Sequence, residues 1–477
     1  MRMLLVLALL CAPVLYAQND PVRLPAPKKG QQHIADGEEA FTDGRMQDAV
    51  DAFTSALADQ PENDEALGYR AAAYVALGKL DKADDDLAAA IKLNTDFSLT
   101  WNTRGYVRWL RGNHTGAIED YNAALAYAGG DRRVDKAGLA QLHQNRGVAY
   151  QDLGNSDRAL LDFNRCVELL PNNPAFLENR GLVYVDKELF DMAFRDFDAS
   201  VELDRKNARA YVNRAYAARL MGDFEQAVRD YSQALRLKAD YGQALIGRGY
   251  TWMGWGRDEL AENDFKQARK IDGFQVSGYT GLGDLLRGNG KLADALEQYE
   301  SAITVADGIP AQALRGKILV LEAQDQAESA LSWCSALSLI EPTVPENWLI
   351  RARLAMKLAN FEEVIASANC GLELQPSSND LRRLRIQACA REGNYVVALY
   401  DAGVLKRFDK SMGCIESARV CTIAYADKQN TEALDEALDE LRKAVGAGAD
   451  LVSTVKDDPD FAPLKDNTEF KKLIGED

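Results

Sequence analysis

Histidine is scarce, at three in 477 residues, and none has a His-Glu-x-x-His or Cys-x-x-Cys partner. A zinc site built on those spacings is therefore not signalled. Positive charge is in deficit: 56 Lys and Arg stand against 73 Asp and Glu, a formal net charge of −17. Affinity for nucleic acid comes largely from cations neutralising phosphates, so a nucleic-acid partner is excluded. The one long apolar run lies at the N-terminus, which excludes a polytopic membrane protein. No Gly-x-Ser-x-Gly elbow occurs. Gly290-Lys291 approaches a phosphate loop, but Leu285 holds the place of its first glycine and Leu292 that of its Ser or Thr. Carboxylates are plentiful and none is isolated as a catalytic pair. No catalytic residue, metal or cofactor is expected, and the chain reads as a non-enzyme. Its 47% AVILMFWYC content is nonetheless that of a folded globular protein.

The N-terminus carries one positive charge at Arg2, an apolar run from Met3 to Leu10, and small residues up to Ala17. That layout predicts a secretory signal peptide over residues 1–17, a linker over 18–29, and an exported, periplasmic or secreted chain. The run is too short for a membrane span. Acylation at Cys11 is disfavoured by Leu10, where the lipoprotein motif has a small residue.

From Gly30 onward the chain repeats. Ala49, Ala83, Ala117, Ala159, Ala193, Ala227, Ala261 and Ala295 fall 34 apart, save one step of 42. Glycines recur five residues before most of these alanines, and between the glycines apolar residues are spaced at 3, 4 and 7. Each unit is thus two short helices closed by a glycine turn. A second period couples Arg70/Asp86, Arg104/Asp120, Arg146/Asp162, Arg180/Asp196, Arg214/Asp230 and Arg248/Asp264, each 16 apart and symmetric about the turn. One Asp per Arg favours structural ion pairs over an anion-binding ladder. Of the six cysteines after the leader, Cys389 with Cys421 is the favoured bridge in an oxidising compartment, on the expectation that both sit on first helices of adjacent units.

Asn145-Arg146-Gly147-x-x-Tyr150, its repeat at Asn179–Tyr184, and Trp101, Gly105, Ala117, Tyr121 and Ala124 in their unit resemble the tetratricopeptide repeat (TPR). With Gly30, Asp64, Ser98, Ala140, Pro174, Ala208, Gly242 and Val276 as position 1, eight units match. Units one to three cover 30–131, an insertion 132–139, and units four to eight 140–309. Weaker units cover 310–378, degenerate helical repeats 379–430, and a helical cap with acidic tail 431–477. The resemblance implies an all-α, right-handed solenoid of stacked antiparallel helix pairs that binds a protein or extended peptide in a groove lined by first helices. The Lys, Asn and Arg set with which one subgroup clamps a carboxylate is not present, although Asn145, Asn179 and Asn213 occupy its position 6.

Positions 9 and 12 lie on the face that the family turns toward its groove. There the sequence places Tyr106, Trp109, Val148, Leu182, Val185, Tyr216, Arg219, Tyr250 and Met253, bounded by Glu38 and Asp284. This stripe is the candidate site for an apolar segment of a partner, since aromatic side chains with Arg favour binding hot spots. A polysaccharide-associated adaptor would use the same stripe. An enzyme would need a site within 310–430.

Overall fold

The computed structural model describes residues 29–476 except Arg132 and Gln429; the expected leader and all but the end of the linker lie outside the described residues. Among the described residues there is no strand. They fall into two compact units, divided after Trp255.

The first unit stacks antiparallel helix pairs: α1 (Lys29–Thr42) with α2 (Met46–Asp59), α3 (Asp64–Ala76) with α4 (Leu80–Lys92), and α5 (Ser98–Leu110) with α6 (His114–Ala128). There follow α7 (Lys136–Asp152) with α8 (Ser156–Leu169), α9 (Pro174–Asp186) with α10 (Phe190–Leu203), α11 (Ala208–Leu220) with α12 (Phe224–Leu237), and α13 (Gly242–Gly254). Local chemistry sets these boundaries. Asn63, Asn113, Asn155, Asn173 and Asn207 each accept a hydrogen bond from a first-turn amide, satisfying donors that a helix start leaves open. Gly154 and Gly222 turn the chain at φ of +74° and +81°, a region costly for residues bearing a Cβ.

The pairs lock through two contacts that also recur 16 residues apart. Position 24 carries a ring in Phe53, Tyr121, Phe163, Phe197 and Tyr231, all fully buried. It packs on the small residue at position 8: a Cβ on Gly181 would lie 2.6 Å from the Phe197 ring, and one on Gly105 2.8 Å from Tyr121. Burying each ring contributes about 1.5–3 kcal/mol. Beside it, at positions 7 and 23, the Arg/Asp pairs form two-pronged bridges. Arg214 donates Nε to Asp230 Oδ2 at 2.8 Å and Nη2 to Oδ1 at 2.7 Å, and Arg70, Arg146 and Arg180 repeat this with Asp86, Asp162 and Asp196. Arg104 holds Asp120 the same way. Burial would raise the Asp162 carboxyl, but hydrogen bonds from Arg146 and His143 outweigh it and hold it below the usual aspartate range.

The sequence did not announce what the third donor does. Arg70 Nη1 reaches Thr54, Arg146 Nη1 Asn122, Arg180 Nη1 Asn164 and Arg214 Nη1 Asp198, each one the position-25 side chain of the preceding pair. Each Arg therefore closes its own hairpin and ties it to the one before. Arg248 makes the corresponding bond to Ser232 at 3.0 Å. Its expected partner Asp264 belongs to the second unit.

Half of the insertion goes into helix. α7 has 17 residues where α3, α5 and α9 have 13, and it begins at Lys136, so 136–139 are helical rather than loop. Asp135 caps it through the Gly138 amide.

The second unit contains α14 (Asp258–Ala268), then the pairs α15 (Gln275–Gly288) with α16 (Leu292–Val305), α17 (Ala311–Ala323) with α18 (Ala327–Ile340), and α19 (Pro345–Lys357) with α20 (Phe361–Leu374). Next come α21 (Asn379–Arg391) with α22 (Tyr395–Phe408) and α23 (Lys410–Lys428) with α24 (Thr431–Gly446), closed by α25 (Leu451–Thr454), a 3-10 turn (Pro459–Leu464) and α26 (Thr468–Leu473). Residues 379–408, expected to be degenerate, are a regular pair: Gly393 turns the chain at φ +74°, and Arg385 grips Asp401 by Nε and Nη2, both at 2.7 Å. The cap buries Phe461, Leu464, Phe470 and Ile474 against Ala437 and Leu441.

The expected bridge between Cys389 and Cys421 does not form; all six described cysteines are free. Val420, not Cys421, meets the core that holds Cys389. One residue on, at about 100° around the helix, Cys421 faces a different core with Ala437 and Leu438. Burial and the nearby Glu436 carboxylate push its thiol up to about 12.

Candidate peptide-binding groove

The stripe expected at positions 9 and 12 divides in two. Tyr106 is only 4% exposed and stacks on Trp109 with ring centres 5.8 Å apart. Together with Val75, Leu87 and Val107 they form core between the second and third pairs. The Trp109 indole donates to Asp152 at 2.7 Å, one pair further on. Tyr106 is therefore packing rather than binding surface, while Trp109 is half-buried at its edge. Ala71 and Val75 are small enough for Tyr106 to sink between the helices.

Beyond them the stripe opens. Leu182 and Tyr216, at equivalent positions of α9 and α11, are 36% and 37% exposed. Val148, Val185, Tyr250 and Met253 are half-buried. Val148 leans on the core of Tyr121 and Phe163, and Val185 on that of Tyr184 and Phe197. The Arg219 guanidinium lies over the Tyr216 ring at 5.3 Å and hydrogen-bonds the Tyr231 hydroxyl. Burial, only partly offset by Arg219, pushes that phenol up to about 12, so it stays neutral. The Arg219 Nε–H has no partner among the described residues.

Polar side chains next to the stripe are mostly occupied, an arrangement that the sequence did not reveal. Glu178, 2% exposed, accepts from Ser200, Asn207, Arg209 and Asn213 at 3.1, 2.9, 2.6 and 3.3 Å. Asn145 donates to Asn102 at 2.8 Å. Two of the three position-6 asparagines thus bond to the preceding pair, while the buried Nδ2 of Asn179 has no partner among the described residues. Gln151 donates to Asp186 at 2.9 Å, continuing the rung begun by Trp109. An open cavity of about 440 Å³, lined by Leu189, Phe190, Met192, Met221, Glu188 and Asp191, contains no stripe residue.

In the second unit charges converge around Arg419, whose side chain is 7% exposed. Arg419 meets Glu416 at 2.9 Å, Asp458 at 2.6 Å and Asp460 at 2.8 Å, and Arg391 holds Asp460 at 2.7 Å. These groups satisfy one another and fasten the C-terminal turn to α21 and α23. His143 has a structural partner too, with Nδ1 2.8 Å from Asp162. Among the described residues no group of three His, Cys, Asp or Glu is placed to hold a metal. No described helix is long and apolar enough to cross a membrane.

Three tetratricopeptide repeat models match the chain: one over 140–173 and 208–241, a second over 40–101, and a third over 73–132 and 280–338. The chain carries tetratricopeptide repeats. Human tetratricopeptide repeat protein 36 is similar, 32% identical over 133 residues, which are 28% of this chain and 66% of that protein. Its Bos taurus counterpart is 34% identical over 110 residues, 23% of this chain and 56% of that protein. A heat-shock cognate co-chaperone of Aspergillus fumigatus is 31% identical over 124 residues, 26% and 36% of the two chains. The chain thus spans between about a third and two thirds of these relatives. Among solved structures, a TPR protein from Parabacteroides merdae aligns at 17% identity and TM-score 0.40 over 61% of this chain and 98% of that one. YrrB, a TPR protein with an unusual peptide-binding site, aligns at 22% identity and TM-score 0.36 over 41% and 97%.

Proposed function

We propose that this TPR chain is a non-enzymatic scaffold of the cell envelope that holds an extended apolar segment of a protein partner along α7, α9, α11 and α13. One observation carries this reading: Leu182 and Tyr216 stand exposed on adjacent first helices, with the Arg219 guanidinium 5.3 Å over the Tyr216 ring. A leucine and a tyrosine in register give apolar area at little entropic cost. The guanidinium poised over the ring supplies a donor for a backbone carbonyl or a carboxylate. The net charge of −17 favours a polypeptide over a nucleic acid. The co-chaperone relative agrees with a protein partner, without naming one.

A peptide selected from a random library on the wild-type protein should lose most of its affinity for Tyr216→Ala/Tyr250→Ala while the variant keeps its helicity. Envelope residence rests on the sequence of residues 1–17, a charged start followed by an apolar run. Mass spectrometry of the native protein should find a chain beginning near Gln18. A soluble cytoplasmic protein starting at Met1 would overturn that part.

A further inference from the structure

The loop between α6 and α7 folds back onto the beginning of the first unit. Arg133 Nη1 lies 2.8 Å from Glu65 Oε2, and its guanidinium carbon sits 4.3 Å above the Phe97 ring. Phe97 ends a run of rings, Phe41 to Tyr69 at 5.8 Å and Tyr69 to Phe97 at 5.0 Å. At the same aromatic wall Glu38 hydrogen-bonds Tyr69. Burial raises the Glu38 carboxyl, opposed by Tyr69 and by the Arg133 charge. Glu38 and Glu65 occupy positions 9 and 2, on the face that carries the apolar stripe further along.

A flat ring with carboxylates beside it is complementary to one chemical group. A guanidinium stacks on the ring while its fork of N–H donors meets the carboxylates, a geometry that a lysine ammonium cannot reproduce. Arg133 does not need this wall to hold its own loop. Asp131 Oδ1 already accepts both its backbone N–H at 3.0 Å and its Nε at 2.8 Å. The bond to Glu65 is also a light one: the side chains are 28% and 45% exposed, and solvent-screened pairs of this kind contribute little to stability. The contact with Glu65 is the one that an incoming group can exchange, while Asp131 keeps its hold on Arg133.

We propose that Glu65, Phe97 and Glu38 form a guanidinium-binding site, filled in cis by Arg133, and that an arginine side chain of a bound polypeptide displaces Arg133 from it. Only the polypeptide nature of the partner rests on the groove reading; the chemistry of the site stands apart from the stripe. The wall then reads a basic residue at one end of the segment, and the loop keeps the site shut until such a residue arrives.

The test is a titration of the full chain with N-acetyl-arginine amide, with the citrulline and lysine amides as controls. The Nε–H resonance of Arg133 reports displacement; it is identified by its loss in Arg133→Ala. The arginine amide should shift that resonance saturably in the wild type and bind Arg133→Ala at least tenfold more tightly. Adding Glu65→Gln to Arg133→Ala should abolish the binding. The citrulline amide, of the same shape without the charge, should not bind, and the lysine amide should bind at least tenfold more weakly. Tyr216→Ala/Tyr250→Ala should bind the arginine amide as the wild type does, so failure of the stripe and failure of this site are told apart. If the Arg133 resonance stays still, or Arg133→Ala binds no more tightly than wild type, Arg133 is a structural pin and the proposal fails. Equal binding of the citrulline or lysine amide overturns it as well.

Discussion

Removing Arg214 tests how the helix pairs are held together. Its side chain is 13% exposed and that of Asp230 5%, so the two-pronged bridge is shielded from solvent. In Arg214→Ala, Asp230 keeps only the Gln226 Nε2 donor at 3.0 Å. A buried carboxylate so stripped costs about 3 kcal/mol, the lower end of the range for breaking a buried pair. In Asp230→Ala the Arg keeps Asp198, which is half-exposed and hydrated, so the loss is about 2 kcal/mol. The double variant leaves no orphaned charge at this bridge and should lose about 3 kcal/mol rather than 5, a coupling of about 2 kcal/mol. A long repeat array need not unfold as one cooperative unit, so a single melting temperature is a poor readout. Amide hydrogen exchange within α11 and α12 measures the opening free energy where the bridge sits. Strictly additive losses would refute the pairing. A loss confined to α11 and α12, without effect on α10, would refute the tie to the preceding pair through Asp198.

Two further changes probe the turns and the helix packing. Glu188 holds φ +59° at the turn position where the neighbouring pairs have Gly154 and Gly222, so Glu188→Gly should stabilise by about 0.5–1 kcal/mol, the relief of left-handed strain less the entropy of glycine; slower exchange in α9 and α10 would show it, and faster exchange would mean that the Glu188 side chain has a compensating contact. Gly181→Val should cost about 1–3 kcal/mol, because its Cβ would stand 2.6 Å from a Phe197 ring that is fully buried; hydrogen exchange in α9 and α10 as slow as in wild type would show that the ring can shift.

What was legible in the sequence follows from what recurs by identity. The Arg and Asp at positions 7 and 23 are the same residues in pair after pair, so their spacing exposed the hairpin bridge. The third bond of the same Arg was hidden, because its acceptor changes from Thr54 to Asn122, Asn164 and Asp198. A helical-face argument placed Tyr106 with Tyr216 since both occupy position 9. Whether such a ring is surface or core depends on the preceding helix pair, and beside Tyr106 that pair presents small side chains. Cysteine pairing failed for a related reason: periodicity placed Cys389 and Cys421 near one another in the chain of helices, but not which core each faces. The return of Arg133 to Glu65 joins residues 68 apart in sequence through an aperiodic loop, and no repeat pattern could have signalled it.

The most direct test of the groove is the affinity of a library-selected peptide for wild type and for Tyr216→Ala/Tyr250→Ala, measured side by side with the helicity of each protein. If α9, α11 and α13 present the binding stripe, loss of two anchors worth about 2 kcal/mol each, discounted for non-additivity, should weaken binding at least about thirtyfold with helicity unchanged. Unchanged affinity, or a variant that loses its helices, would contradict the account, since either result makes the stripe something other than a binding surface.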